Sequence, residues 1–301
     1  MSPRAPSARR RRPGPDLETL PLQALLRRIN REDRRVAPAV GRVIPQIAAA
    51  VKRIVAVLRR GGRVIYVGAG TSGRLGWLDA MEVPPTFGVD PGMVRAVVAG
   101  RITETVSEAS PVEDNRKLGR EEMERLRVGP RDVVVGIAAS GTTPFTLGAI
   151  AEARRRGAYT VGLTTTPRSP LAVRTDTAIV PQVGEEIVRG STRMKAGTAQ
   201  KLVLQMLSTA TMVGLGHVYR DLMVDVRPLN AKLRRRVQDI VAAGAGVSSA
   251  EAARLVHAAG EEAKVALVMG LAGVDAPEAR RLLVASDGFI RGAVQRARRT
   301  R

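Results

Sequence analysis

Val64-Ile65-Tyr66-Val67-Gly68-Ala69-Gly70-Thr71-Ser72-Gly73 is a short apolar run that opens into glycines and hydroxyls. Four consecutive apolar residues predict a strand buried on both faces, and the residues from about Ser72 to Met81 predict a helix after it. Strand, glycine loop and helix together make an anion site, because the loop amides point at the ligand and the helix N-terminus adds partial positive charge. The spacing Gly68-x-Gly70-x-x-Gly73 also fits a dinucleotide fingerprint. That fingerprint wants an acid after the second strand to hold a ribose. Here the second strand ends Val97-Val98-Ala99-Gly100-Arg101, with no acid. Thr71 and Ser72 suit the oxygens of a phosphate monoester better.

Working outward, the same rhythm recurs. Val94 to Val98, Asp132 to Ile137, Tyr159 to Thr164 and Thr177 to Val180 read as further strands, and Glu113 to Leu126 as a helix between them. Ser140-Gly141-Thr142-Thr143-Pro144 follows the third strand and opens a helix to Arg156, so hydroxyls again precede a helix. Two such loops at the carboxyl ends of neighbouring strands would share one pocket; as ordinary turns, their Ser and Thr would only cap helices. Upstream, Leu17 to Asn30 and Pro38 to Arg59 have helical spacing, and Gly61-Gly62 ends the second. From Arg193 onward the chain reads as helices: Lys195 to Gly214, Leu229 to Ala243, Ser248 to Ala259, Glu262 to Gly270, Pro277 to Ala285 and Gly288 to Arg298. The expected class is α/β, a parallel-sheet, Rossmann-like sandwich with N-terminal helices and a small C-terminal helical subdomain. The expected divisions are a disordered basic arm over 1–15, a sheet domain over 16–225 and the helical subdomain over 226–301.

Composition narrows the chemistry. Of 301 residues, 44% are hydrophobic and only 2% aromatic, so the core is aliphatic. Cysteine is absent, which excludes disulfides and thiolate catalysis and suits a reducing compartment. His217 and His257 stand too far apart to suggest a metal cluster. The net charge of +21 invites a nucleic-acid reading, but five arginines within residues 1–12 and five within 291–301 supply almost half of it. Basic ends without interleaved aromatic residues read as solvated tails, not as a specific nucleic-acid surface. The longest apolar stretch, Leu202 to Gly216, is interrupted by Gln205, Ser208, Thr209 and Thr211 and is too short to span a bilayer. No apolar segment follows the N-terminal arginines, so no secretory signal is read and a cytoplasmic location is expected.

The two hydroxyl loops resemble those of sugar isomerase (SIS) domains, which bind phosphosugars. Two longer stretches sharpen the resemblance: Gly68 to Gly76 running on into Leu78-Asp79-Ala80-Met81-Glu82-Val83-Pro84-Pro85-Thr86-Phe87-Gly88, and Gly190-Ser191-Thr192-Arg193-Met194-Lys195-Ala196-Gly197-Thr198-Ala199-Gln200. Both are similar to the N-acetylmuramic acid 6-phosphate etherase family, over about Asp16 to Arg291. The resemblance implies cleavage of a D-lactyl ether, giving N-acetylglucosamine 6-phosphate and D-lactate, by a homodimer without metal or organic cofactor. It implies elimination, with a base taking the C2 proton beside the C1 aldehyde and lactate leaving C3, followed by hydration.

By the same resemblance Glu82 is the acid that protonates departing lactate, and Glu113 is the C2 base, with Asp114 as its alternate if the match slips by one. Gly70, Thr71, Ser72, Ser140, Gly141, Thr142, Thr143, Ser191, Thr192 and Lys195 are implied substrate contacts. Without the resemblance, Glu82 reads as an exposed helix-end residue, Glu113 as a first-turn acid, and Arg193 with Lys195 as a solvated basic face. A first-turn position would weaken Glu113 as a base, and Glu82 needs an apolar wall, expected from Val83, Pro84 and Pro85. The chain departs from the family at Arg9 to Pro15, where a Thr-Glu-x-x-Asn element is missing, at Thr142, where many relatives have Arg, and at Thr166, where many have Asn. Two other activities fit the same architecture: a non-catalytic phosphosugar sensor similar to glucokinase regulatory protein, and an aldose–ketose isomerase.

Overall fold

A computed structural model describes residues 16–100, 111–226 and 231–300. The arm expected over 1–15 lies outside the described residues. Five parallel strands form the central sheet: β1 (Arg63–Gly68), β2 (Val94–Val98), β3 (Asp132–Ile137), β4 (Tyr159–Leu163) and β5 (Thr177–Ile179), in the order β2-β1-β3-β4-β5. Successive side chains of a strand point to opposite faces, so each strand feeds two cores. Val64 and Tyr66 of β1 join Val133, Val135 and Ile137 of β3 in one core, under α2 (Val36–Gly41), α3 (Ile44–Leu58), α4 (Gly70–Phe87) and the long C-terminal-side helix Lys195–Gly214. Ile65, Val67 and Val134 face the other core, against Met123 of α5 (Arg116–Arg125) and Phe145 and Ile150 of α6 (Pro144–Arg155). The result is a three-layer sandwich, as expected for near-continuous apolar strands.

After the short α7 (Pro170–Val173), the chain enters α8 (Lys195–Gly214). Then follow α9 (Ala231–Ala245), α10 (Ser249–Ala258), α11 (Ala263–Ala272), α12 (Ala276–Val284) and α13 (Ile290–Thr300). The buried residues of a third apolar cluster run from Val224 to Ala297, with Tyr219, Leu222 and Met223 packed against it. Asp225 links it to the turn after α8: its carboxylate meets His217 Nδ1 at 2.7 Å and Lys264 Nζ at 2.5 Å.

Several boundaries differ from the sequence expectation. The first helix is a 3-10 turn (Leu17–Thr19) and α1 (Leu22–Asp33), separated at Pro21. The second breaks at Arg42 and Val43 into α2 and α3. The run after Arg193 is not wholly helical, because Val218–Tyr219 (β6) and Leu222–Met223 (β7) form an antiparallel hairpin. Helix α4 runs six residues beyond Met81, carrying Pro84 and Pro85 inside it. Val83 and Phe87 of that last turn are buried in the core, and Gly88, at φ +66°, closes it by donating its N–H to Pro84 O. Burial outweighs the hydrogen bonds that the prolines cannot make. Helix α5 starts at Arg116 because Asn115 caps it, accepting from the amides of Lys117 and Leu118 at 3.0 and 3.2 Å.

Candidate functional site

Strands β1 and β3 are neighbours with Gly68 opposite Ile137, and the strand order reverses between them. Their following loops therefore meet at the topological switch point, where open α/β sheets bind ligands. The first loop is tighter than expected, since Gly70 is already the first residue of α4 and Ala69 is its N-cap. Gly73 N–H makes the first intrahelical bond, to Ala69 O at 3.0 Å. The amides of Gly70, Thr71 and Ser72 before it are those a helix leaves without intrahelical partners, and they suit an anion. The glycines have separate reasons. Gly70 sits at φ +52°, and a Cβ on Gly73 would lie 2.6 Å from Gly68 O. Helix and strand thus approach more closely than any side chain permits.

The second loop is fastened from behind. Ala139 O accepts the hydroxyls of Thr164, Thr165 and Thr166 at 3.0 to 3.1 Å. Gly141, at φ +67°, leaves no room for a Cβ, which would lie 2.1 Å from Ser169 Oγ. Ser140 Oγ accepts from the Thr142 amide at 3.2 Å and its hydroxyl at 2.9 Å, so these side chains preorganise one another. Thr166, one of the departures, is thus one of the residues that hold this loop.

Glu113 comes to the second loop. Its carboxylate takes a hydrogen bond from Thr143, and its pKa is raised, chiefly by burial and then by the charge of Asp114. Glu113 is not in the first turn of α5, which Asn115 caps; it lies two residues before that cap. Asp114 is exposed.

Glu82 is elsewhere. It lies inside α4, not after it, and is exposed. Eleven residues beyond Thr71, it stands roughly 16 Å further along the helix axis. Its neighbours on α4 include two exposed apolar residues, Leu78 and Met81, while Val83 turns into the core. The apolar wall expected from Val83 is therefore not at the Glu82 carboxyl. Three residues back, Asp79 is buried, and its carboxylate accepts from Tyr66 Oη and Ser208 Oγ, both at 3.0 Å. Burial pushes Asp79 up to about 6, against the pull of both hydroxyls, and the charge of Glu82 adds to the rise.

The Gly190 to Gln200 stretch ends beside the first loop. Ser72 Oγ donates to Gln200 Oε1 at 2.9 Å, and a Cβ on Gly197 would lie 3.5 Å from Thr71 Cγ2. Gln200 Nε2 is buried and has no hydrogen-bond partner among the described residues, a donor left over beside this loop. Ser191 is half-buried and Thr192 exposed. Lys195 is not on a solvated face: it is 1% exposed, and its ammonium meets Glu32 of α1 at 2.7 Å. Glu186 caps α8, accepting from the amides of Lys195 at 3.1 Å and Ala196 at 2.9 Å. Sequence reasoning missed Glu32, Asp79 and Glu186; each acts through a partner at least nine residues away in the chain, so no local pattern marks it.

A glucokinase regulatory protein N-terminal SIS domain model matches residues 46–154, and an SIS domain model matches residues 118–210. Among curated proteins, the chain is 46% identical over 280 residues to "N-acetylmuramic acid 6-phosphate etherase" of Cronobacter sakazakii, covering 93% of this chain and 94% of that one. It is 50% identical over 284 residues to the protein of the same name from Rubrobacter xylanophilus, covering 94% of each. Among solved structures, a phosphoheptose isomerase from Francisella tularensis matches with TM-score 0.50 at 20% identity, over 62% of this chain and 98% of that one. That likeness concerns the fold.

Proposed function

The chain belongs to the N-acetylmuramic acid 6-phosphate etherase family, and on that premise we propose how its residues divide the work of cleaving the D-lactyl ether. The enzyme is a carbon–oxygen lyase of cell-wall amino-sugar recycling, converting its substrate and water to N-acetylglucosamine 6-phosphate and D-lactate. The phosphate sits on the first-turn amides of α4 with Thr71 and Ser72, and Ser140 to Thr143 close the second side. Glu113 takes the C2 proton of the open-chain sugar, whose C1 aldehyde acidifies it. The C3–O bond breaks, and Glu82 gives its proton to the departing lactate oxygen. Water then adds at C3 and a proton returns to C2. These steps need an acid and a base and no cofactor chemistry.

The observation that carries this reading is the junction of Glu113 with Thr143 on the second hydroxyl loop: a raised carboxyl beside an anion site is a suitable base. Ser191 and Thr192 stay as outer contacts near the first loop. Lys195, held by Glu32, acts on the pocket by anchoring the start of α8.

Glu82 lies further from its own first loop than a hexose phosphate can reach. The same reading therefore makes the enzyme a homodimer in which Glu82 of one chain serves the sugar anchored on the other. Supporting this, α3 and α8 form an open apolar groove of about 700 Å3, lined by Ile44, Ile47, Val51, Leu202 and Met206. Exposed Leu78 and Met81 flank Glu82 and would be covered by a second copy. Among the described residues no helix is long and apolar enough to cross a membrane. A cytoplasmic site of action, where phosphosugars are made, and no specific nucleic-acid partner complete the proposal. The deciding experiment is D-lactate release from muramic acid 6-phosphate without added metal, with Glu82→Gln and Glu113→Gln. Each substitution should remove most turnover and spare phosphosugar binding. Full activity in both would overturn the assignment, and a ketose product in place of lactate would make the enzyme an isomerase.

A further inference from the structure

We infer that Gln200 is a positioning residue for the phosphate: its buried side-chain amide turns end for end as the anion binds, so that it donates to Ser72 Oγ and frees the Ser72 proton for the ligand. This rests on the reading of the first loop as the phosphate site. Gln200 is 0% exposed and Ser72 half-buried, so Gln200 acts on a ligand only through Ser72. It lies three residues after Gly197 on α8, and both face the first turn of α4, where a Cβ on Gly197 would lie 3.5 Å from Thr71 Cγ2. Its Oε1 accepts from Ser72 Oγ at 2.9 Å, and its Nε2 is buried with no partner among the described residues. A methionine would fill the same space with no amide to bury, so packing alone does not favour glutamine.

A serine hydroxyl has one proton and two lone pairs. The Ser72 proton goes to Gln200 Oε1, so its oxygen offers a phosphate only lone pairs, which repel it. The amides of Gly70, Thr71 and Ser72 attract an anion at the place where the Ser72 oxygen, so arranged, opposes it. An amide turned by half a rotation about its last bond keeps its shape and exchanges carbonyl for NH2. In Gln200 that rotation replaces one hydrogen bond by one: Nε2, the donor left over, gives to Ser72 Oγ, and Ser72 gives to a phosphate oxygen. Bonds in such a chain polarise one another, and the last ends on a charged acceptor, so the turned amide is favoured when the anion is bound. An ionised carboxylate in place of the amide accepts from Ser72 and cannot donate, which holds the Ser72 proton away from the ligand.

The test measures kcat and KM for D-lactate release and the inhibition constant of inorganic phosphate, with and without Ser72→Ala. Gln200→Met should raise KM and the phosphate inhibition constant roughly fivefold or more and hold kcat within about twofold. In the Ser72→Ala background Gln200→Met should change neither constant by more than about twofold, because the relay has lost its middle member. Parent-like or tighter phosphate binding in Gln200→Met overturns the inference, since Gln200 would then only withhold the Ser72 proton. So does a loss of the same size with and without the Ser72 hydroxyl, which leaves Gln200 a packing role alone. If Gln200→Met does not fold, Gln200→Glu decides by the same cycle. Weakened phosphate binding that disappears with Ser72→Ala supports the inference; binding that is unweakened, or weakened equally in both backgrounds as plain charge repulsion would do, overturns it. Ser72→Ala by itself tests the premise. Unchanged phosphate binding there rejects Ser72 as a phosphate contact; weakened binding there with an unaltered Gln200→Met rejects the Gln200 inference alone.

Discussion

Replacing Glu32 by alanine should unfold this enzyme more easily while leaving substrate affinity almost unchanged. Its carboxylate meets the Lys195 ammonium at 2.7 Å, and the two side chains are 22% and 2% exposed. Removing one member of a buried pair leaves the other charge without compensation, at about 3 to 5 kcal/mol. Water reaches Glu32 in part, so the lower end, about 3 kcal/mol, applies here. For a chain this long that corresponds to a fall in Tm of roughly 6 to 12 °C. Glu32 is held below the usual carboxylate range, first by its hydrogen bond to Lys195. A carboxylate lowered on folding stabilises above its unfolded value and loses that contribution as pH falls through its folded one. The difference between the parent and Glu32→Ala should therefore be full at neutral pH and shrink below about pH 4.5. Thermal melts, urea titrations and KM for D-lactate release measure all three quantities. Glu32→Leu with Lys195→Met, which removes both charges, should return to within about 1 to 2 kcal/mol of the parent. A Glu32→Ala variant that melts like the parent but binds substrate poorly would refute the reasoning, because Lys195 would then serve the ligand and not the fold.

Three other outcomes follow from the geometry. Asp114→Asn removes a charge that raises Glu113, so the acid limb of kcat/KM should move to lower pH; Thr143→Val removes a bond that lowers it and should move the limb to higher pH. Limbs unmoved in both would detach Glu113 from the base role. Gly141→Ala places a Cβ 2.1 Å from Ser169 Oγ at a φ of +67° and should cost about 1 to 3 kcal/mol in urea denaturation; parent stability would contradict the close approach. Met206→Glu puts a charge into the apolar groove between α3 and α8 and should halve the mass seen by light scattering, whereas an unchanged mass moves the dimer face elsewhere.

The strands and the phosphate loops were legible in the sequence because their signals are local. Apolar runs such as Val133-Val134-Val135 predict a doubly covered strand, and β2 and β3 begin and end where expected. Helix α8 likewise spans its expected Lys195 to Gly214. The glycines at 68, 70 and 73 mark a turn that backbone geometry demands wherever the chain goes next. The errors are of one kind. Local pattern could not weigh burial against proline in the last turn of α4, nor see the two-residue strands of β6 and β7, which are too short to carry a period.

The sequence by itself determined the α/β class, the hydroxyl loops and the family motifs that single out Glu82 and Glu113. Only the tertiary structure decided what those residues stand beside. It set Glu113 against Thr143 ahead of the Asn115 cap, put Glu82 on an exposed turn far along α4, and gave Lys195 to Glu32 across 163 positions of chain. It also built the Tyr66–Asp79–Ser208 clamp from three separate elements. The physical reason is that propensity and capping act within a few residues, whereas desolvation and hydrogen bonding of a buried charge depend on whichever distant groups the fold packs around it.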